Sequence, residues 1–332
     1  LVYFGGLGVL ENVVSGGDLY LFVQSVWILL FPLFQIAAFW PSFQAGLAAA
    51  ERTFSLIDAE PAVVQTDNIN PGRLNGEIEI KNLDFRYEEK NSVFQNFNLK
   101  IKAGESIAIV GHTGAGKSSL ANLIARFYEF QGGKILIDGT DIRKFNLAAY
   151  RKQIGLIPQT PFLWAKTVEK NIKYCCLTSS TEDVHKAIEK AGGYDWIEDL
   201  PDGLETNIRE RGSLLSMGQR QLIIFARILL EDPSILILDE ATASVDPFTE
   251  TRIQDALEET MKNRTSIIIA HRLWTVRHVE RIIVLDHGEI IEEGNHEDLM
   301  EKGGKYAQLY NTYFRHQSLE YIEQVKEMKN KK

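Results

Sequence analysis

Cysteine is nearly absent from this chain: its 332 residues hold two, Cys175 and Cys176, and they are neighbours. Neither a disulfide framework nor a spaced zinc motif can be assembled from such a pair, and a reducing, cytosolic setting is the default for the part that carries them. Basic clusters are missing as well. No Lys/Arg block is longer than the closing KNKK and the net charge is −9, which argues against a protein that works by gripping a nucleic acid backbone. No segment repeats at a fixed period. Charge, finally, is absent from residues 19–40, LYLFVQSVWILLFPLFQIAAFW.

That last absence is the most informative. At 1.5 Å per residue, a helix of this length matches a hydrocarbon core of about 30 Å, and the run reads as a membrane span. A buried helix in a globular core competes with this reading, but soluble helices of such length normally keep a polar stripe. A signal peptide fits worse, because there is no basic n-region and the run starts late. Pro32 is tolerable where neighbouring helices satisfy the freed carbonyl. The opening LVYFGGLGVL is too short to span, so the chain is expected to begin inside an earlier helix and to be a fragment. SFQAGLAAAERTFSLID carries the helix out of the bilayer, and AEPAVVQTDNINPGRLNG, with two prolines and polar turns, reads as a linker.

With 332 residues there is room for about two domains. Ile78, Ile80, Leu83, Phe85 and Tyr87 alternate imperfectly, as a half-exposed strand does. Three nearly continuous apolar runs follow, SIAIV (106–110), ILIL (235–238) and SIIIA (266–270). Bounded by turns and alternating with helical segments, they predict central strands of a parallel sheet covered on both faces. The tail from Gln317 is highly charged, with Leu319, Ile322 and Val325 three apart, and reads as a peripheral helix.

Three constellations carry chemistry. The first is GHTGAGKSS, residues 111–119, directly after SIAIV. Gly111, Gly116, Lys117 and Ser118 fit G-x-x-x-x-G-K-[ST], and Gly114 adds freedom inside the turn. Glycines let consecutive N–H groups point at a polyphosphate, Lys117 reaches the β and γ phosphates, and Ser118 offers a hydroxyl to Mg²⁺. The following helix puts the positive end of its dipole at the same place. The second is ILILDEATASVD, residues 235–246. A buried strand ending in two carboxylates is costly unless they meet a cation or a reacting group, and strand ends are where α/β sheets hold ligands. Asp239 is the natural Mg²⁺ partner and Glu240 is placed to polarise an attacking water. Capping of the next helix is the plainer alternative for both. The third is LLSMGQRQL, residues 214–222. Leu222, Phe225, Ala226 and Leu229 follow helical spacing, which puts Ser216, Met217 and Gly218 at a helix N-terminus, a second anion-binding end. Alone, this could equally be an ordinary N-cap with a turn glycine.

In this order and spacing the three stretches resemble the Walker A, signature and Walker B/D-loop motifs of ATP-binding cassette (ABC) ATPases, and with AAAERTFSLIDAEP after a span the chain resembles an exporter-type half-transporter. The resemblance covers residues 1 to about 313. It implies an α/β P-loop NTPase fold with a RecA-like, mostly parallel sheet core, an antiparallel β subdomain and a helical signature subdomain, preceded by a transmembrane helix. The implied organisation is a membrane portion at 1–58, a linker at 59–76, a nucleotide-binding domain at 77–316 and a charged tail at 317–332.

The same resemblance assigns roles that spacing could not. Tyr87 matches the A-loop aromatic that stacks on adenine. Gln159 matches the Q-loop glutamine at Mg²⁺ or water, bordering the membrane domain. His271 matches the switch histidine at the γ-phosphate. Ser244, Val245 and Asp246 match the D-loop, and Glu210 in RERG the X-loop. The implied catalytic set is Glu240, His271 and Lys117. ATP would be held by Tyr87, by Gly111, His112, Thr113, Gly114, Ala115, Gly116, Lys117, Ser118 and Ser119, and by Gln159, Ser216, Met217, Gly218, Gln219 and Asp246. Mg²⁺ would be held by Ser118, Gln159 and Asp239. Met217 departs from the commonest LSGGQ signature, but Ser216 and Gly218, the residues expected to face phosphate, are retained.

The implied partners are a second nucleotide-binding domain, identical or different, in a head-to-tail ATP sandwich, together with transmembrane domains, the membrane and a transported substrate that the sequence does not identify. No nucleic acid partner is expected. The expected location is a cell membrane, multi-pass in the full-length protein, with the nucleotide-binding domain cytoplasmic. Two other classes compete: a soluble ABC ATPase of the chromosome or DNA-repair type, against which residues 19–40 speak, and an ATP-gated channel or regulator, against which the retained Glu240 speaks. Gln24, Gln35 and Gln44 are polar points on the span and its extension, more often packing than ligand groups.

Overall fold

The uncharged stretch lies inside one long helix. A computed structural model describes residues 2–63, 65–87, 92–239, 247–270 and 273–314, and it divides into two units, Leu1–Pro61 and Ala62–Lys332. In the first, α1 (Val2–Leu10) is followed by α2 (Gly16–Ile57), 42 residues long, or about 63 Å at the α-helical rise. Ser15 caps α2, its hydroxyl oxygen accepting the Asp18 N–H at 3.1 Å. Pro32 and Pro41 both sit inside the helix. None of its residues is buried, and Phe22, Trp27, Leu33 and Ile36 are all exposed. Apolar area on this scale is unfavourable in water and favourable in a lipid or helix-bundle setting. The expected span, 19–40, lies mostly in the N-terminal half of a helix roughly twice as long as a hydrocarbon core is thick.

The second unit begins with β1 (Ile78–Arg86) and β2 (Ser92–Ile101), then β3 (Ser106–Val110), α3 (Lys117–Ile124), β4 (Gly132–Ile137), β5 (Thr140–Asp141), α4 (Leu147–Arg151) and β6 (Ile154–Ile157). A helical stretch follows, α5 (Val168–Ile172), α6 (Thr181–Lys190), α7 (Asp195–Glu198) and α8 (Met217–Glu231), and then β7 (Ile235–Asp239), α9 (Pro247–Met261), β8 (Thr265–Ile269), α10 (Leu273–Arg277), β9 (Arg281–Asp286), β10 (Glu289–Gly294), α11 (His296–Lys302) and α12 (Lys305–Leu309).

Two sheets result. One has the order β2-β1-β4-β5 and is antiparallel throughout; the other has the order β10-β9-β3-β8-β7-β6 and is parallel except for β10 at its edge. The apolar runs are explained by what covers the second sheet. Ile107, Ile109, Ile235, Ile237, Ile267 and Ile269 face one core, shared with the antiparallel sheet and α3. Ala108, Val110, Leu236, Leu238 and Ile268 face the other, shared with α8 and α9. Because successive side chains alternate faces and both faces are dry, the strands are apolar along their central positions, with polar residues at their ends. The imperfect alternation in β1 has a local cause as well: the pairing register with β2 shifts between Ile80 and Leu83, where Asn82 has φ 48°, a bulge that skips one residue.

Residues from 65 onward in the expected linker are strapped onto this unit. Thr66 N–H donates to Arg143 O (2.9 Å) and Asn146 N–H to Ile69 O (2.8 Å). Arg73 reaches the C-cap of α8, donating to the Asp232 carbonyl (2.6 Å) and carboxylate (2.8 Å). The Asp138 carboxylate accepts from the backbone N–H groups of Asn75, Gly76 and Glu77 at 2.7, 3.1 and 2.9 Å.

Candidate active site

The strand–loop–helix unit β3-α3 requires glycine at two points. A β-carbon on Gly111 would lie 2.1 Å from the Leu285 carbonyl oxygen, so the loop can pass β9 only without a side chain. Gly116 caps α3 at φ 105°, in the left-handed region, and a β-carbon there would press on the Phe94 ring at 3.0 Å. Between them the loop folds back on itself and presents the first N–H groups of α3, which have no partners within the helix.

Lys117 is 8% exposed. Its ammonium donates to the Gly111 carbonyl at 2.8 Å and the His112 carbonyl at 2.9 Å. Burial pushes its pKa down, while the Asp239 carboxylate pulls the other way. Ser118 Oγ donates to Asp239 Oδ2 at 3.4 Å. The register explains how residues 121 positions apart meet: Ile269 of β8 is paired with Ile109 of β3 on one side and with Asp239 of β7 on the other. The glycine loop and the carboxylate therefore leave the sheet at the same level, with β8 between them, at its carboxyl edge. An ammonium, a hydroxyl, a carboxylate and a helix start together suit a polyphosphate with a hard divalent cation, which takes one or two protein oxygens and fills the rest with phosphate and water.

Tyr87 is the first residue beyond β1 and is 48% exposed. Its hydroxyl donates to Ser119 Oγ at 3.0 Å. Gln159 is exposed two residues past β6, on a strand whose Ile157 is paired with Leu238 of β7; it leaves the sheet one strand from Asp239. Ser216 is exposed and caps α8, accepting the Gln219 N–H at 3.2 Å, while Gln219 Oε1 accepts the Ser216 N–H at 2.9 Å, the reciprocal capping box. Gly218 is buried and Met217 half-buried. Glu210 is exposed in a one-turn helix between Arg209 (φ 60°) and Arg211 (φ 54°). Glu240, Ser244, Val245, Asp246 and His271 lie outside the described residues.

Asn171 belongs to none of the three motif stretches. It is 0% exposed. Its side-chain oxygen accepts the Trp164 N–H (2.9 Å), its amide donates to the Trp164 and Thr167 carbonyls (3.1 and 3.0 Å), and its own carbonyl accepts Arg227 Nε of α8 (2.9 Å). The side-chain amide thus holds the turn from Trp164 to Thr167, and the main-chain carbonyl of the same residue joins that turn to α8. The available signal was a polar residue on the apolar face defined by Val168 and Ile172. Beside it, Phe162, Trp164 and Tyr174 form an exposed aromatic row, with ring centroids 5.0 and 5.6 Å apart.

A glycine loop between a parallel strand and a helix, with a second strand delivering a carboxylate to the helix's first serine, defines a P-loop nucleotide-binding protein. The helical stretch carrying the Ser216-capped end narrows this further. Residues 94–243 match the ABC transporter family model, which marks this stretch as an ABC transporter domain. It is 43% identical over 315 residues to an uncharacterized ABC transporter ATP-binding protein, YknV, of Bacillus subtilis (strain 168), covering 95% of this chain and 52% of that protein. It is 42% identical over 316 residues to an ATP-dependent lipid A-core flippase of Syntrophus aciditrophicus (strain SB), again covering 95% and 52%. A solved structure of a bacterial Atm1-family ABC exporter with ATP bound superposes with a TM-score of 0.72 at 35% identity, covering 89% of this chain and 52% of that one. The chain spans about half the length of the relatives it matches. The expected ABC ATPase fold, with a mostly parallel core sheet, an antiparallel sheet and a helical part, is the fold observed.

Proposed function

We propose that this chain is the ATP-hydrolysing portion of an ABC exporter subunit, in which nucleotide-driven closure of two such domains moves a substrate across a membrane. The observation that carries the reading is the convergence of Lys117, Ser118 and Asp239 at one sheet edge, in a chain that also presents a second, exposed phosphate-facing helix start at Ser216. One nucleotide fits one glycine loop. The Ser216 end is therefore free to close over the nucleotide of a second domain, identical or different, head to tail.

Each residue then has a physical task. Lys117 exchanges two neutral carbonyl acceptors for phosphate oxygens, a change to charge-assisted bonds roughly twice as strong. Gly116 and the first N–H groups of α3 surround the phosphate chain, and Tyr87 stacks on the base. Ser118 and Asp239, with Gln159 at the margin, would hold Mg²⁺, which supplies neutralisation of charge on the β and γ oxygens. Glu240 orients a water and draws on its proton as the water oxygen bonds to the γ-phosphorus; the bond from that phosphorus to the β-bridging oxygen breaks, leaving ADP and phosphate. His271 and the partner's signature end bind the γ-phosphate until it leaves. Reversing a 1:99 equilibrium to 99:1 takes about 5.5 kcal/mol of differential binding, which two γ-phosphate bridges of roughly 1.5–3 kcal/mol per charged hydrogen bond can supply.

Helix α2, apolar and with no buried residue, favours the membrane-bound reading over a soluble ATPase, with the nucleotide-binding unit on the cytoplasmic side of a multi-pass protein.

Phosphate release by the full-length protein in lipid nanodiscs tests the reading. Turnover is expected to require Mg²⁺, and Asp239→Asn is expected to lower it about a hundredfold. An Asp239→Asn protein with parental rate and parental Mg²⁺ dependence would remove the site from the chemistry.

A further inference from the structure

Tyr87 does not stand alone. The Tyr128 ring meets it nearly perpendicularly, with centroids 4.9 Å apart at 89°, while Phe85 meets it from another side at 4.8 Å and 77°. Phe85 is a core residue, 2% exposed, whereas Tyr128 is 43% exposed and reaches Tyr87 from the turn after α3.

That turn is fixed. Arg126, 1% exposed and at φ 57°, donates to the Ile142 carbonyl at 3.0 Å and to the Glu129 carboxylate at 2.8 Å. Two residues further on, the Gln131 amide grips the end of β1: its oxygen accepts the Arg86 N–H at 2.9 Å and its nitrogen donates to the Arg86 carbonyl at 3.2 Å. The residue immediately before Tyr87 and the residues on both sides of Tyr128 are thus held by buried or reciprocal bonds. The Tyr87 hydroxyl is tied to Ser119 at its tip alone; without a ring packed beside it, a half-exposed tyrosine past a strand end would pay more of the entropy of fixing one rotamer when a base arrives.

We propose that Tyr128 is a positioning residue for nucleotide recognition: its ring holds Tyr87 in the one orientation that offers a flat face to a purine. The inference rests on the reading of Tyr87 as the base-stacking residue and adds the element that preorganises it. Tyr128 acts through Tyr87, so its effect falls on affinity for the base and leaves binding of the phosphates unchanged. The ring edge matters and the hydroxyl does not.

The test measures Kd for Mg-ATP and for inorganic tripolyphosphate, together with kcat and KM, on the full-length protein. Tyr128→Leu is expected to weaken Mg-ATP binding about two- to tenfold, the range of an edge-to-face aromatic pair, with kcat and the tripolyphosphate Kd at parental values. Tyr128→Phe is expected to keep parental affinity, and Tyr87→Ala combined with Tyr128→Leu to be no weaker than Tyr87→Ala alone. Parental ATP affinity in Tyr128→Leu, an equal loss for tripolyphosphate, or additive losses in the double variant would each overturn the proposal while leaving the Tyr87 reading in place. Parental ATP affinity in Tyr87→Ala would remove the base-stacking reading itself, and Tyr128's role with it.

Discussion

Replacing Glu240 by glutamine is expected to stop turnover while leaving ATP bound. Glutamine keeps the size of the side chain and can still hold a water, but it neither takes a proton nor places a negative charge beside the attacking oxygen. Loss of a positioned general base lowers rates by about 10²–10⁴, so phosphate release should fall by at least a hundredfold. The γ-phosphate contacts proposed for Lys117 and the facing Ser216 end, and the Mg²⁺ contact proposed for Ser118, are untouched, so the closed, nucleotide-loaded state should accumulate. Retention of radiolabelled ATP after rapid gel filtration reads this directly. Parental turnover in Glu240→Gln would show that the strand-end carboxylate is not part of the reaction.

Lys117→Ala is expected to act at the preceding step and weaken nucleotide binding. The ammonium is buried and its two acceptors are loop carbonyls, so the variant loses a positive charge facing the phosphates and leaves the Gly111 and His112 carbonyls without their donor. Removing one preorganised charged donor costs about 10²–10³, and affinity for Mg-ATP should fall by that factor. A second readout separates binding from folding. A ligand at a hundred times its Kd stabilises a protein by about 2.7 kcal/mol, so ATP should raise the melting temperature of the parental protein and leave that of Lys117→Ala unmoved. An unchanged ATP-induced shift in the variant would mean that the phosphates bind elsewhere.

The parallel sheet was legible because both of its faces are dry. SIAIV and SIIIA contain no polar interruption, and residue 107 goes to one core while 108 goes to the other. The glycine loop was legible for a steric reason: the Leu285 carbonyl and the Phe94 ring leave no room for a β-carbon at its two ends. The antiparallel sheet showed only in part, since the bulge at Asn82 breaks the alternation of β1 and β5 has two residues.

What composition could not separate is a free polar linker from one whose backbone is already bonded. Asn75, Gly76 and Glu77 look like turn residues, but their N–H groups are received by Asp138, a partner more than sixty positions away. Asn171 and Tyr128 were missed for a related reason. Tyr128 meets Tyr87 from another element, a meeting that no local spacing encodes, and the Asn171 side chain serves main-chain groups of Trp164 and Thr167, which residue types do not mark. The signature stretch lay between these extremes. Its serine and glutamine three apart spell the capping box seen at α8, yet the phosphate it is proposed to face belongs to another domain.

The proposed sharing of a pocket between two chains is best examined by cross-linking. In full-length Glu240→Gln protein with Cys175 and Cys176 replaced by serine, cysteines introduced at His112 and at Ser213 would stand on the glycine loop and just ahead of the signature helix. If nucleotide is sandwiched head to tail, a short bifunctional thiol reagent should join His112→Cys of one chain to Ser213→Cys of another when Mg-ATP is present, and only weakly without it. Cross-links that form solely within one chain, or between chains to the same extent with and without ATP, would mean that Ser216 does not close over a neighbour's nucleotide.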